Sequence, residues 1–374
     1  MKKKLLIVIG TRPELIKLAP VILEYKKRFK KAPVIILNTA QHKDLLEPYW
    51  EIFNIKPDFE LDFMKQGQSL AELTSRGILQ FENFIDSYVQ KGNIISGVLA
   101  QGDTTTVMVS SMVAFYKNIP FYHLEAGLRT YDLLNPFPEE YNRKIASISA
   151  RIHFAPTIIS KNNLLNEGIN KNIVVSGNTI VDAVKLFKSS FKKYKLKNKQ
   201  LSKLFIESSI SNNILITCHR RENHGKNLIN IISAVCKLAK EFKQYNFIWP
   251  LHPNPNVLSV VKSKIDASDK NIYLTDPLDY LDLLYVLSKS KLVLTDSGGI
   301  QEEAPSFNVP VLILRQKTER PEGVEAGVAW LVGTDKNIIY KKACYLLSKE
   351  NFNFKNPYGN GKSSALIVNT LLKQ

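Results

Sequence analysis

Along the chain, short runs of consecutive apolar residues alternate with longer stretches in which apolar positions recur every three or four residues. The short runs at 5–9, 34–38, 94–100, 120–124, 152–155 and 173–176 carry little polar alternation. Such runs predict strands buried on both faces. Between them, 15–28, 70–89 and 107–116 carry helical spacing. This alternation predicts a parallel sheet, because parallel neighbours need a connection that crosses back over the sheet. From 186 to 213 the composition turns rich in Lys and Ser and the strand signal fades, which predicts a helical edge followed by a connector. The pattern then restarts, with strands at 214–217, 247–251, 272–274, 292–295 and 309–314 and helices such as 227–242 and 280–288 between them. A last helical stretch covers 362–372. The expectation is an α/β chain of two doubly wound domains, 1–185 and 186–361.

Composition narrows this only at the margins. The 374 residues, 44% hydrophobic and 23% charged, suit a globular chain above the usual length of one domain. Lys plus Arg (51) against Asp plus Glu (34) gives +17, which raises nucleic acid, anionic membrane and phosphorylated small molecules as partners. Cys218, Cys236 and Cys344 form no CxxC pair, which argues against a disulfide framework or a structural zinc site and fits a reducing cytoplasm. Met1-Lys2-Lys3-Lys4 imitates the basic end of a signal peptide, but the apolar run 5–9 is too short for export. No run of about 20 apolar residues occurs, so a membrane span is not expected.

Doubly wound sheets bind ligands beyond the carboxyl ends of their strands, so the residues there carry the candidate chemistry. The first predicted strand is followed by Gly10-Thr11-Arg12-Pro13-Glu14 and a helix bearing Lys17, a turn suited to an anion or simply to solvated charge. Asp103 follows the 94–100 strand, where it can act in the site or serve as an N-cap. Glu125 follows the next strand, a costly place to bury an unpaired carboxylate. Glu139 and Glu140 open a further helix, where acids also complement the dipole. Asp103, Glu125 and Glu139 can converge, and crowded carboxylates can supply an acid and a base at neutral pH. In the second half, His219, Arg220 and Arg221 follow a strand as a candidate anion site, and His252 stands at the next strand end. Ser297-Gly298-Gly299 leads from strand to helix and offers backbone N–H groups to a diphosphate, with Glu303 placed for ribose hydroxyls and Arg320 a further candidate. The turn matches neither the dinucleotide fingerprint nor the lysine-bearing phosphate loop.

Taken in order, GTRPE (10–14), QGDTTT (101–106), HLEAGLRT (123–130), PFPEE (136–140), HRREN (219–223), DSGGIQEEAPS (296–306) and TERPEG (318–323) resemble the non-hydrolysing bacterial UDP-N-acetylglucosamine 2-epimerase family. The tail NPYG (356–359) is also similar. The resemblance implies a GT-B architecture of two Rossmann-like domains with the active site in the interdomain cleft. It also implies a cytoplasmic homodimer, with the C-terminal helix, 362–374, packed back on the first domain. The implied reaction interconverts UDP-GlcNAc and UDP-ManNAc through elimination of UDP to a 2-acetamidoglucal and re-addition. No cofactor and no metal take part, and the product supplies ManNAc units for cell-surface polysaccharide. By the same resemblance Asp103, Glu125, Glu139 and His219 are catalytic, with Glu125 or Asp103 as base, Glu139 as the partner for re-protonation and His219 facing the diphosphate. Arg12, Lys17, Ser297, Gly298, Gly299, Glu303 and Arg320 match positions that hold UDP, while Gln41, Arg220 and His252 resemble an allosteric second site for UDP-GlcNAc. A small diphosphate then accounts for the anion, and nucleic acid and membrane drop out as expected partners. The alternatives are a hydrolysing epimerase releasing ManNAc and UDP, an epimerase of a modified UDP-sugar, a GT-B glycosyltransferase and a module that only binds.

Overall fold

The computed structural model describes residues 3–28, 34–40, 43–207, 212–265 and 270–374. The chain forms two compact units, Met1–Ala183 with Tyr358–Gln374, and Val184–Pro357.

The first unit is built on seven parallel strands: β1 Lys3–Ile9, β2 Val34–Asn38, β3 Phe59–Glu60, β4 Ile94–Gln101, β5 Phe121–Leu124, β6 Ala150–Ala155 and β7 Ile173–Val175. Their order is β3-β2-β1-β4-β5-β6-β7, so the winding reverses between β1 and β4. The second unit repeats the plan with six parallel strands: β8 Asn213–Thr217, β9 Asn246–Pro250, β10 Ile272–Thr275, β11 Ser290–Thr295, β12 Val311–Ile313 and β13 Ala329–Leu331. The order β10-β9-β8-β11-β12-β13 reverses between β8 and β11. A crevice opens at such a reversal because the two flanking helices leave on opposite faces of the sheet.

Continuous apolar runs are explained by cores on both faces. In β8, Ile214 and Ile216 join one buried cluster with Trp249 and Leu294, whereas Leu215 joins the other with Ile248 and Val293. The period of two along a strand sends neighbours to opposite sides, and here both sides are dry.

Two predicted strands begin too early, for one reason. Pro120 and Pro310 stand before β5 and β12, and their carbonyls accept from Val98 N (2.8 Å) and Val293 N (3.0 Å). Proline has no N–H to complete the ladder, so each strand starts directly after its proline, β5 one residue and β12 two residues later than expected. The edge strands β3 and β13 lie outside the predicted set; β3 has two exposed residues and no apolar run to announce it. The helix Ser363–Leu371 belongs to the first unit, where the Asp182 carboxylate accepts from Ser363 N (3.3 Å) and Ser364 N (2.9 Å). Among the described residues, no helix is long and apolar enough to cross a membrane.

Candidate active site

In the first unit, three neighbouring strands deliver charged side chains to one edge of the sheet. Past β1, the helix Arg12–Arg28 carries three of them. Arg12 is exposed, with its guanidinium 5.8 Å from the centre of the Tyr49 ring. Glu14 is buried, and its carboxylate accepts from Gly10 N (2.5 Å), Thr11 N (3.0 Å) and the Thr104 hydroxyl (2.5 Å). Burial pushes this carboxyl up to about 7 against those three bonds, and the nearby Asp103 charge adds to the rise. Lys17, also buried, pairs with Glu125.

Past β4, Asp103 is not the N-cap of the helix Thr105–Tyr116. Thr104 takes that place, its hydroxyl 3.4 Å from Val107 N. The Asp103 carboxylate instead meets Arg143, with Oδ2 2.9 Å from Nε and 2.7 Å from Nη2. Past β5, Glu125 is buried and held at φ 66°, a left-handed conformation that is uncommon outside glycine. Asn178 Nδ2 lies 3.4 Å from its carboxylate. A side chain held this way is overdetermined by its surroundings, and such residues cluster at functional sites.

Glu139 and Glu140 begin the helix Glu139–Ser149 but part company there. Glu140 is fully buried, accepts from Thr130 N and Tyr131 N at 3.1 Å each, and pairs with Arg143 at 2.8 Å. Glu139 is partly exposed. Burial works against the Arg143 charge, but Asp103 and Glu140 overcome it and raise its pKa. Arg143 is thus a candidate site residue that the motifs do not announce. Its signal is positional: it lies four residues after Glu139, on the same helix face.

The second unit gathers its charges at the reversal between β8 and β11. The Asp296 side chain is fully buried just after β11 and accepts from His219 N, Arg220 N and Asn223 Nδ2, each at 2.9 Å. Its other oxygen lies 3.2 Å from His219 Nδ1. The sequence reading assigns Asp296 no role, although a carboxylate directly after a strand of Leu and Val is a visible signal. His252, past β9, stacks on His219 with ring centres 5.6 Å apart, and its Nδ1 accepts from Asn254 N at 3.2 Å. Arg220 Nη2 is 3.8 Å from Glu319.

Ser297 leads into the short helix Gly298–Glu303, where Gly299 is exposed and Glu303 buried. A Cβ on Gly298 would stand 2.6 Å from Arg320 Nη1, so glycine lets the guanidinium lie across the turn. Arg320 is held there by Glu302 (2.6 Å) and Glu319 (2.8 Å). Burial raises the Glu319 carboxyl, but Arg320, Arg315 and Arg220 outweigh it and hold it well below the usual carboxylate range. Gln41 lies outside the described residues. Among the described residues, no three His, Cys, Asp or Glu side chains group as metal ligands would.

The sequence model of the UDP-N-acetylglucosamine 2-epimerase family matches residues 25–372. A UDP-N-acetylglucosamine 2-epimerase of Neisseria meningitidis is 44% identical over 99% of each chain. The crystal structure of UDP-GlcNAc 2-epimerase from that organism, bound to UDP-GlcNAc, superposes with a TM-score of 0.89 over 99% of this chain and 100% of that one. A Staphylococcus aureus MnaA–UDP co-structure, 40% identical, gives 0.86 over 99% of this chain and 96% of that one. Acinetobacter baumannii MurG, 11% identical, gives 0.61 over the whole of both chains and so shares the fold alone. The architecture is GT-B, two Rossmann-like units in tandem. Full-length identity at this level, together with the match over 25–372, places the chain in the UDP-N-acetylglucosamine 2-epimerase family.

Proposed function

We propose that the protein inverts carbon 2 of UDP-N-acetylglucosamine to give UDP-N-acetylmannosamine, and that it does so in the cytoplasm as a homodimer. The observation that carries the reading is a pair of carboxylates at adjacent strand ends, each fixed by its own cation: Asp103 by Arg143 and Glu125 by Lys17. Relatives named for this substrate, and a neighbour bound to it, support the choice of nucleotide sugar.

The proton on carbon 2 has no adjacent carbonyl to acidify it, so its removal must be coupled to departure of a stabilised anion. Glu125 or Asp103 takes the proton, and the freed electron pair becomes the C1–C2 double bond of a 2-acetamidoglucal. The C1–O bond breaks, and its electrons leave with UDP. Glu139 then returns a proton to the opposite face of carbon 2 while UDP re-adds at carbon 1. Arg12, Lys17, Arg320 and the turn Ser297-Gly298-Gly299 bind UDP, Glu303 serves the ribose hydroxyls, and His219 faces the diphosphate as it departs.

The test is NMR of the purified protein with UDP-N-acetylglucosamine in deuterated water. The expected product is UDP-N-acetylmannosamine with deuterium at carbon 2. Free N-acetylmannosamine and UDP would make the enzyme hydrolysing, and an unchanged substrate would overturn both readings.

A further inference from the structure

At the β8–β11 reversal stands a buried group, Asp296, that belongs to the DSGG motif but has no part in the proposed reaction. Its carboxylate is fully buried, a state whose desolvation cost must be met by donors. One oxygen has them, from His219 N, Arg220 N and Asn223 Nδ2 at 2.9 Å each. The other oxygen has His219 Nδ1 at 3.2 Å, an ion-pair distance not yet aligned as a hydrogen bond. Catalytic contacts of this kind are often loose before substrate arrives. The groups facing the pair are the His252 ring, stacked at 5.6 Å on His219, and the Cys218 thiol beside Asp296. Burial first, then the Asp296 charge, pushes that thiol well up.

We infer that Asp296 is a positioning residue that keeps His219 protonated on Nδ1 and turned inward, so that Nε2 is presented outward to the departing diphosphate. An imidazole has two nitrogens on opposite sides of the ring, and a carboxylate at Nδ1 selects the tautomer with its hydrogen there. Such a carboxylate also favours the imidazolium once Nε2 gains a proton, which gives the leaving group both a charge and a donor. A strand-end carboxylate that serves only to tie the loop would need the backbone and Asn223 bonds alone. The approach of Nδ1 is the additional fact. This inference rests on the reading of His219 as the group that faces the diphosphate.

The experiment uses the full chain labelled with 15N in its six histidines, with His219→Gln to assign the resonances. In the wild type, the neutral His219 ring should carry its hydrogen on Nδ1. In Asp296→Asn, that preference should be lost and the imidazole should deprotonate at lower pH. A wild-type ring protonated on Nε2 overturns the inference without any variant being needed. Kinetics supply the second readout. Asp296→Asn should lower kcat about 100-fold, change KM little and shift the limb of the pH profile that belongs to His219. The double variant Asp296→Asn/His219→Gln should be no slower than His219→Gln alone, whereas additive losses would refute the coupling. Were the tautomer as stated but the protein inert toward UDP-N-acetylglucosamine, the proposed reaction would fall and the Asp296–His219 pair would stand.

Discussion

At the scale of single residues, two buried carboxylates of the first unit lead to opposite expectations. Glu125 is paired with Lys17, and both side chains are under 10% exposed. Glu125→Gln removes the proposed base or its neighbour, so carbon-2 deuterium exchange should fall about 1,000-fold. It also strands a buried ammonium, and a urea melt should show a loss of about 3 kcal/mol. Glu14 is different, because burial lifts its carboxyl from 4.5 to about 7. Between those values the unfolded chain is ionised there while the fold keeps the proton. That stability is therefore complete below pH 4.5 and is lost as pH rises through 7, up to about 3 kcal/mol. Glu14→Gln imitates the protonated form, so it should match the wild type in urea at pH 4.5 and exceed it at pH 7.5. A variant that gained nothing at the higher pH would refute this account.

At the scale of elements, the loops after the strands depend on close approach. Gly127 sits at φ 90°, and a Cβ there would run into the Ser160 carbonyl of the helix Ile158–Asn166. Backbone cannot yield as a flexible side chain can, so Gly127→Ala should cost about 2–3 kcal/mol in a denaturant melt. Gly298 meets only the end of Arg320, which can swing away from Glu302 and Glu319. Gly298→Ala should weaken UDP binding about tenfold by calorimetry, since the guanidinium is displaced, and should also cost about 3 kcal/mol in the melt, since the buried Glu302 carboxylate loses its cation. The apolar runs and turn residues announced most of these elements, down to the turn at 296–299. They did not announce that Thr104 rather than Asp103 caps its helix, because either side chain can accept that bond. The cap is settled by Arg143, which draws the Asp103 carboxylate away.

For the molecule as a whole, the repetition of one winding plan was legible along the chain, and with it the two sheet edges where the charged strand-end residues gather. The last helix is tied to the first unit by the Asp182 carboxylate and by Asn178 N, which donates to Tyr358 O at 2.7 Å. Asp182→Asn should therefore speed hydrogen exchange across 363–371 while leaving β1 and β4 protected, and equal protection in both proteins would refute the tie. The sequence by itself determined the α/β class, the strand-end placement of Arg12, Asp103, Glu125, His219 and Ser297, and the family motifs. It could do so because strands buried on both faces require unbroken apolar runs, and the residues that end those runs must then lie at the sheet's edge. Only the tertiary structure decided the partners. Lys17 meets Glu125, 108 residues away, and His219 meets Asp296, 77 residues away, because the order β1-β4-β5 and the pairing β8-β11 bring distant strand ends side by side. A buried charge must find its counterpart in space, and no local pattern encodes which strand will stand beside which.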